Sequence, residues 1–121
     1  MINPPQFEDS WERKSWFSSV YNWILSRDAV VSKSSDYTVE EGVFWVRVDA
    51  SGGAVTITLP LSAGRMGRQI GVIKTDSSAN AVTVSRSGSD SINGASSQSL
   101  ASQYSRTVVI ADGASAWDII Q

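Results

Sequence analysis

The chain contains neither cysteine nor histidine among its 121 residues. Without a thiol or an imidazole it can form no disulfide, no thiolate or imidazole metal site, and no Ser-His or Cys-His nucleophile. These absences exclude the commonest routes to covalent and metal-assisted catalysis. The sequence therefore predicts a protein that is not an enzyme and that needs no cofactor or metal ion.

Charge of one sign and long apolar runs are also scarce. Ten Lys and Arg residues oppose 12 Asp and Glu residues, for a net charge of −2. Nucleic-acid binding would need a clustered basic face, and a membrane helix would need about 20 consecutive apolar residues. We expect neither nucleic acid nor a membrane span. A hydrophobic content of 41% is nevertheless ordinary for a folded chain, with room for one domain and one appendage.

The first 28 residues differ from the rest because they hold three of the five tryptophans. Pro4 and the proline after it fix φ, which predicts an extended start. Asp9 then suits the N-cap of a helix, with Glu12 able to reach back to its amide. Apolar side chains recur at helical spacing after this point, which predicts an amphipathic helix over residues 10–27. Residues 29–35 are expected to be a short linker.

The apolar stripe of this helix needs a surface that buries it. Burial of a large apolar side chain contributes about 1.5–3 kcal/mol, and several such side chains left exposed favour aggregation. Three surfaces are possible: a partner or sister helices, which we favour, the chain's own β-domain, or a membrane surface. The balanced charge of the segment argues against the last. The candidate docking residues are Phe7, Trp11, Trp16, Phe17, Val20, Tyr21, Trp23 and Ile24.

Residues 36–121 have the pattern of a small β-domain. Short runs of Val, Ile and Thr alternate with polar residues, and turn signals separate them at about ten-residue intervals. The pattern predicts a small antiparallel β-sandwich or barrel, preceded by the N-terminal amphipathic helix. Further strands are expected at 67–75 and 81–85, a long loop with one short strand at 87–102, and a final hairpin formed by 107–111 and 117–120.

The first expected hairpin also supplies candidate contact residues. A strand over residues 43–50 is followed by a Ser-Gly-Gly turn and a returning strand over 54–60. If Phe44 faces the core, then Val43, Trp45 and Arg47 face outward. These three are the candidate oligomer interface, and sugar stacking on Trp45 is the alternative.

None of the carboxylates forms a convincing catalytic or metal-binding pattern. Glu40 and Glu41 are adjacent, so in a strand they would point to opposite faces, and a solvated turn is the simpler expectation. Asp76, Asp90 and Asp112 each lie beside Ser or Gly, where Asx turns explain them without calcium.

Several motifs follow one another along the β-domain: DASGGAVTITLP at 49–60, GRQIGVIKTD at 67–76, NAVTV at 80–84, ING at 92–94, and DG at 112–113 followed by Trp117. Together they resemble a β-module of tailed bacteriophages that occurs in head fibres, tail fibres and other virion appendages. The resemblance covers residues 36–121. The Trp-rich segment before them resembles short virion-docking segments. Trp45 and Arg47 depart from the pattern, which would have small or aliphatic residues there.

The resemblance implies a non-enzymatic structural protein of the fibre or capsid-decoration type. It implies a homotrimer that contacts other virion proteins (capsid, portal or tail) and that resides in the virion after assembly in the host cytoplasm. The expected architecture is an N-terminal anchor at 1–28, the linker, and a projecting β-domain. The alternative is a receptor-binding tip whose loop at 87–102 contacts a host-surface glycan. The Ser and Gly content of that loop favours the decoration role.

Overall fold

The computed structural model describes residues 29–121, which form ten β-strands and no helix. The expected helix over 10–27 and its docking residues lie outside the described residues. The strands are β1 (Val30–Lys33), β2 (Tyr37–Thr38), β3 (Trp45–Val48), β4 (Val55–Thr58), β5 (Gln69–Lys74), β6 (Val82–Ser85), β7 (Ser91–Ile92), β8 (Ser97–Leu100), β9 (Arg106–Ala111) and β10 (Ala116–Ile119).

From β1 to β9, successive strands alternate between two sheets, and β10 stays in the sheet of β9. The six-stranded sheet has the order β1-β3-β5-β9-β10-β7, and the four-stranded sheet has the order β2-β4-β6-β8. Equivalent strands of successive turns pair in parallel: β1 with β3 and β3 with β5 in one sheet, and β2 with β4 and β4 with β6 in the other. The chain therefore winds as a short solenoid of three coils, β1–β2, β3–β4 and β5–β6, in which each coil adds one strand to each sheet.

The mainly β class is confirmed, but the expected antiparallel arrangement is wrong for most of the domain. Within residues 29–121 the antiparallel strand pairs are β5–β9, β6–β8 and β9–β10. The turn at 51–53 does not close a hairpin, because β3 and β4 belong to different sheets. In a hairpin the two strands pair within one sheet, whereas in an arch the chain passes from one sheet to the other. Both arrangements bury alternate side chains of each strand. The alternation of apolar residues therefore does not distinguish the two.

Two other expectations differ from the structure. Residues 30–33, placed in the linker, form β1 and pair with β3. The segment 87–102, expected to be mainly a loop, contributes both β7 and β8. The final hairpin is confirmed, since β9 and β10 pair across the turn at 112–113.

The core lies between the sheets and is aliphatic. Val46 and Val48 from one sheet meet Val55 and Ile57 from the other, all at most 2% exposed. Trp117 closes one end of the core. It is fully buried, and its indole N–H donates to the carbonyl of Pro60 at 3.2 Å, so the one polar atom of its ring is satisfied.

Candidate interaction surfaces

An apolar row crosses the outer face of the six-stranded sheet. The registers place Val30 beside Trp45, Trp45 beside Gly71, and Gly71 beside Val108. Ile120 extends the row, since its amide donates to the carbonyl of Val108 at 2.8 Å. With strands about 4.8 Å apart, these five residues span about 19 Å. We call Val30, Trp45, Gly71, Val108 and Ile120 the apolar row.

The row faces away from the core. The neighbours of its members along β3, β5 and β9, namely Val46, Val72 and Val109, are fully buried, and alternate side chains of a strand point to opposite faces. Val30 and Ile120 are about half exposed at the two ends of the row. Within residues 29–121 no other strand packs over this face.

Two of the three predicted contact residues lie on the outer face of the sheet, and the third lies in the core. Trp45 is half-buried and Arg47 exposed on the outer face, as expected. The expected outward orientation of Val43 is wrong, because this residue is 1% exposed and belongs to the core. Phe44, expected to face the core, is instead 53% exposed.

A local irregularity before β3 explains this reversal. The amides of Phe44 and Trp45 both donate to the carbonyl of Ala29, at 2.9 and 3.1 Å. Two consecutive residues thus oppose one residue of the partner strand, as in a β-bulge, and the alternation shifts by one position. The sequence gives no sign of such a bulge.

A second row of the same face carries charge. Ser32, Arg47, Ile73 and Arg106 share one register line. Both arginines are exposed, and neither forms an ion pair within residues 29–121. The outer face therefore combines an apolar centre with a basic flank, which is the composition of an interface core and its rim.

Two shallow clefts lie side by side where the coils turn from one sheet to the other. The larger is about 670 Å³ and the smaller about 350 Å³, and they share Ser34 and Asp49. The rest of the lining is mainly polar: Ser35, Asp36, Ser51, Gly52, Gly53 and Ala54 in the larger cleft, and Ser32, Lys33, Arg47 and Thr75 in the smaller. We call the pair the turn-end groove.

A buried ion pair holds the loops beside this groove. Lys74 is fully buried, and its Nζ lies 2.6 Å from Oδ2 of Asp76. The other oxygen of Asp76 accepts from the amide of Ala50 at 2.7 Å, which ties the second coil's turn to the third. The hydrogen bonds from Lys74 and then from Ser78 hold the pKa of Asp76 well below its usual range. Sequence spacing did not reveal this pair, because a lysine in a strand ordinarily faces solvent.

The carboxylates are otherwise structural. Glu40 and Glu41 lie in an exposed turn, as predicted, but Glu41 also pairs with Arg65 and Arg68, each at 2.7 Å. The hydrogen bond from Arg65, with the positive charge of both guanidinium groups, lowers the pKa of Glu41.

The three aspartates expected in Asx turns behave differently from one another. Asp76 accepts from the amide of Ser78, two residues on, and Asp112 accepts from the amide of Ala114 at 2.8 Å, so the expected local bonds are present in both. The hydrogen bonds from Ala114 and then Ala116 lower the pKa of Asp112. Asp90 is instead buried and accepts from the distant amide of Ser62 at 2.8 Å.

Among residues 29–121, no group of three or more acidic, histidine or cysteine side chains could hold a metal ion. In the same part of the chain no helix is long and apolar enough to cross a membrane. No protein-family model matches the sequence, and no curated protein is significantly similar to it.

Proposed function

We propose that the chain is a non-enzymatic structural protein of a bacteriophage virion, of the fibre or capsid-decoration type. In this proposal residues 1–28 attach it to a capsid, portal or tail protein, and the β-domain projects from the particle as a homotrimer. The outer face of the six-stranded sheet forms the contact between protomers. The order of the β-domain motifs supports the virion assignment, and the absence of His and Cys supports the non-enzymatic role.

The apolar row is the observation that carries the proposal. Parallel strands such as β1, β3 and β5 usually occur in sheets with both faces covered, and only the inner face is covered within residues 29–121. A second protein surface would bury Trp45 and Val108 together with the exposed ends of the row. A closed cyclic assembly buries the same patch on every protomer without leaving a free end.

The oligomer is tested by sedimentation of the full chain, unmodified and as two variants. Val108→Lys places a charge in the centre of the apolar row, whereas Thr83→Lys makes the same change on the outer face of the four-stranded sheet. We expect a trimer for the unmodified chain and for Thr83→Lys, and dissociation for Val108→Lys. A monomeric unmodified chain at micromolar concentration would refute the oligomer.

The attachment is tested on assembled particles. Trp16 and Trp23 belong to the predicted helical stripe, and docking interfaces concentrate their binding energy in such aromatic residues. The double variant Trp16→Ala with Trp23→Ala should be lost from purified particles, while its β-domain melts at an unchanged temperature. Normal incorporation into particles would show that these tryptophans do not attach the chain.

The turn-end groove favours a second candidate function, the binding of a host-surface glycan. Its hydroxyl, carboxylate and cationic groups are the donors and acceptors that a sugar needs, although it lies at 32–36 and 47–54 rather than in the loop proposed from the sequence. Binding to a panel of bacterial surface polysaccharides, compared between the unmodified chain and Asp49→Ala, distinguishes this function from a purely structural one.

A further inference from the structure

The first coil of the solenoid is less well covered than the coils that follow it. Val31, Val46 and Val72 occupy the same position in β1, β3 and β5 and face the core. Val46 and Val72 are fully buried, whereas Val31 is only partly buried. The difference follows from position, because Val31 has a neighbouring strand on one side only.

The backbone at this end is also incompletely paired. The carbonyls of Ala29 and Lys33 accept from the amides of Trp45, at the start of β3, and of Asp49, just after its end. Because backbone groups alternate in direction along a strand, those of Val30 and Ser32 point away from β3. Within residues 29–121, β1 and β2 have no strand on their outer edges. An open first coil leaves a free edge on which another chain can pair, and a capping element would cover that edge.

We propose that residues 10–27 of the same chain form this cap, and that Phe17, Tyr21 and Ile24 cover the first coil at Val31. Chain continuity supports this occupant. Ala29 is buried at the start of β1, and Ile24 is five residues before it, so Ile24 lies within about 17 Å of the open end.

The dimensions and the width of the apolar stripe fit the cap. A helix over residues 10–27 would be about 27 Å long, and the open end spans two sheets about 10 Å apart. The predicted stripe is two ridges wide, so the ridge of Phe17, Tyr21 and Ile24 can face the coil while that of Trp16 and Trp23 stays available. The assignment of this second ridge to a virion partner rests on the proposed function, whereas the cap does not.

A spin label on each edge of the four-stranded sheet tests the cap directly. Because the chain has no cysteine, Thr38→Cys and Ser99→Cys each give a single attachment point. Both residues are exposed, on β2 beside the open end and on β8 at the opposite edge. In the full chain, a nitroxide at residue 38 should broaden the amide resonances of 16–24, and one at residue 99 should leave them sharp.

Two outcomes would overturn the inference. Sharp resonances with the label at residue 38 would show that the open end is not covered by this segment. Broadening in a mixture of labelled chains and separate isotope-enriched chains, at the level seen within one chain, would show that a second copy supplies the cap. Neither result depends on particles, so loss of the cap and loss of virion attachment are measured separately. If the ridge of Phe17, Tyr21 and Ile24 covers the first coil, the double variant Phe17→Ala with Ile24→Ala should abolish the broadening caused by the label at residue 38.

Discussion

The indole ring of Trp45 lies against the backbone of Gly71, its register partner on the neighbouring strand. A methyl group added to Gly71 would overlap two carbon atoms of the six-membered part of the ring. Gly71 is buried although it faces outward, and its cover is Trp45. The tryptophan thus lies flat on the sheet at the centre of the apolar row, and the glycine is what permits it.

Gly71→Ala should therefore destabilise the domain by about 1–3 kcal/mol, the usual cost of overpacking. The clash needs both the added methyl group and the indole ring, so in a Trp45→Ala background Gly71→Ala should cost almost no stability. Urea unfolding of the two single variants and the double variant measures this coupling. Equal costs in both backgrounds would mean that the ring does not lie over Gly71 in solution.

The positions of the strands could be predicted from the sequence, but their partners could not. Alternation predicts β4, with Val55 and Ile57 inward, although the expected strand continues to Pro60 and β4 ends at Thr58. The same alternation is compatible with a hairpin and with an arch between sheets, so the parallel pairing of β4 with β6 came only from the structure. Pairing depends on contacts between residues 27 positions apart, such as Val55 and Val82, which local patterns do not encode.

The candidate surface was predicted in part. Trp45 and Arg47 were expected on the outer face and lie there, but a bulge at Ala29 moved Val43 into the core. The rest of the row could not be found in advance, because it combines strands that are far apart in sequence. The buried Lys74–Asp76 pair was missed for another reason: burial of a lysine depends on the loop that folds over it.

Acid should weaken the domain through Asp76. Folding lowers the pKa of this carboxyl, so the ionised form stabilises the folded state. That contribution is fully present above the ordinary pKa of about 4 and is lost as the pH falls below it toward the folded value. Asp76→Asn should be less stable than the unmodified chain at pH 7 and should lose less stability between about pH 5 and pH 2. Thermal melts across this range measure both effects.

Asp118→Asn is the matched control, because this exposed aspartate forms no ion pair within residues 29–121. Its melting curve should follow that of the unmodified chain at every pH. If Asp76→Asn kept the full acid dependence, the interaction with Lys74 would contribute nothing to it.

In the structure the β-domain includes β1, so it begins near residue 29 and not at residue 36. β1 covers one edge of β3, and the carbonyl of Ala29 accepts two amide hydrogen bonds. A fragment of residues 29–121 should unfold cooperatively, whereas 36–121, which lacks β1, should melt at a clearly lower temperature. Circular dichroism of both fragments measures the difference. Equal melting temperatures would mean that β1 does not belong to the domain.

Tyr104 occupies a backbone conformation that suits glycine better. Its φ is 65°, it lies third in the turn closed by the bond from the amide of Ser105 to the carbonyl of Ser102, and its side chain is exposed. The left-handed conformation costs a non-glycine residue about 1–2 kcal/mol, and the extra freedom of glycine when unfolded offsets about half of that. Tyr104→Gly should therefore leave the domain equally stable or more stable by up to about 1 kcal/mol.

Asn93→Gly provides the contrasting case. Asn93 also has a positive φ, at 50°, but asparagine tolerates this region, and its Oδ1 accepts from the amide of Ile119 at 2.8 Å. The glycine variant relieves little backbone strain and loses a hydrogen bond that contributes about 0.5–1.5 kcal/mol, so it should be less stable than the unmodified chain. Urea unfolding of both variants separates the two cases. A destabilised Tyr104→Gly would show that the exposed ring makes a contact that contributes more to stability than the backbone strain costs.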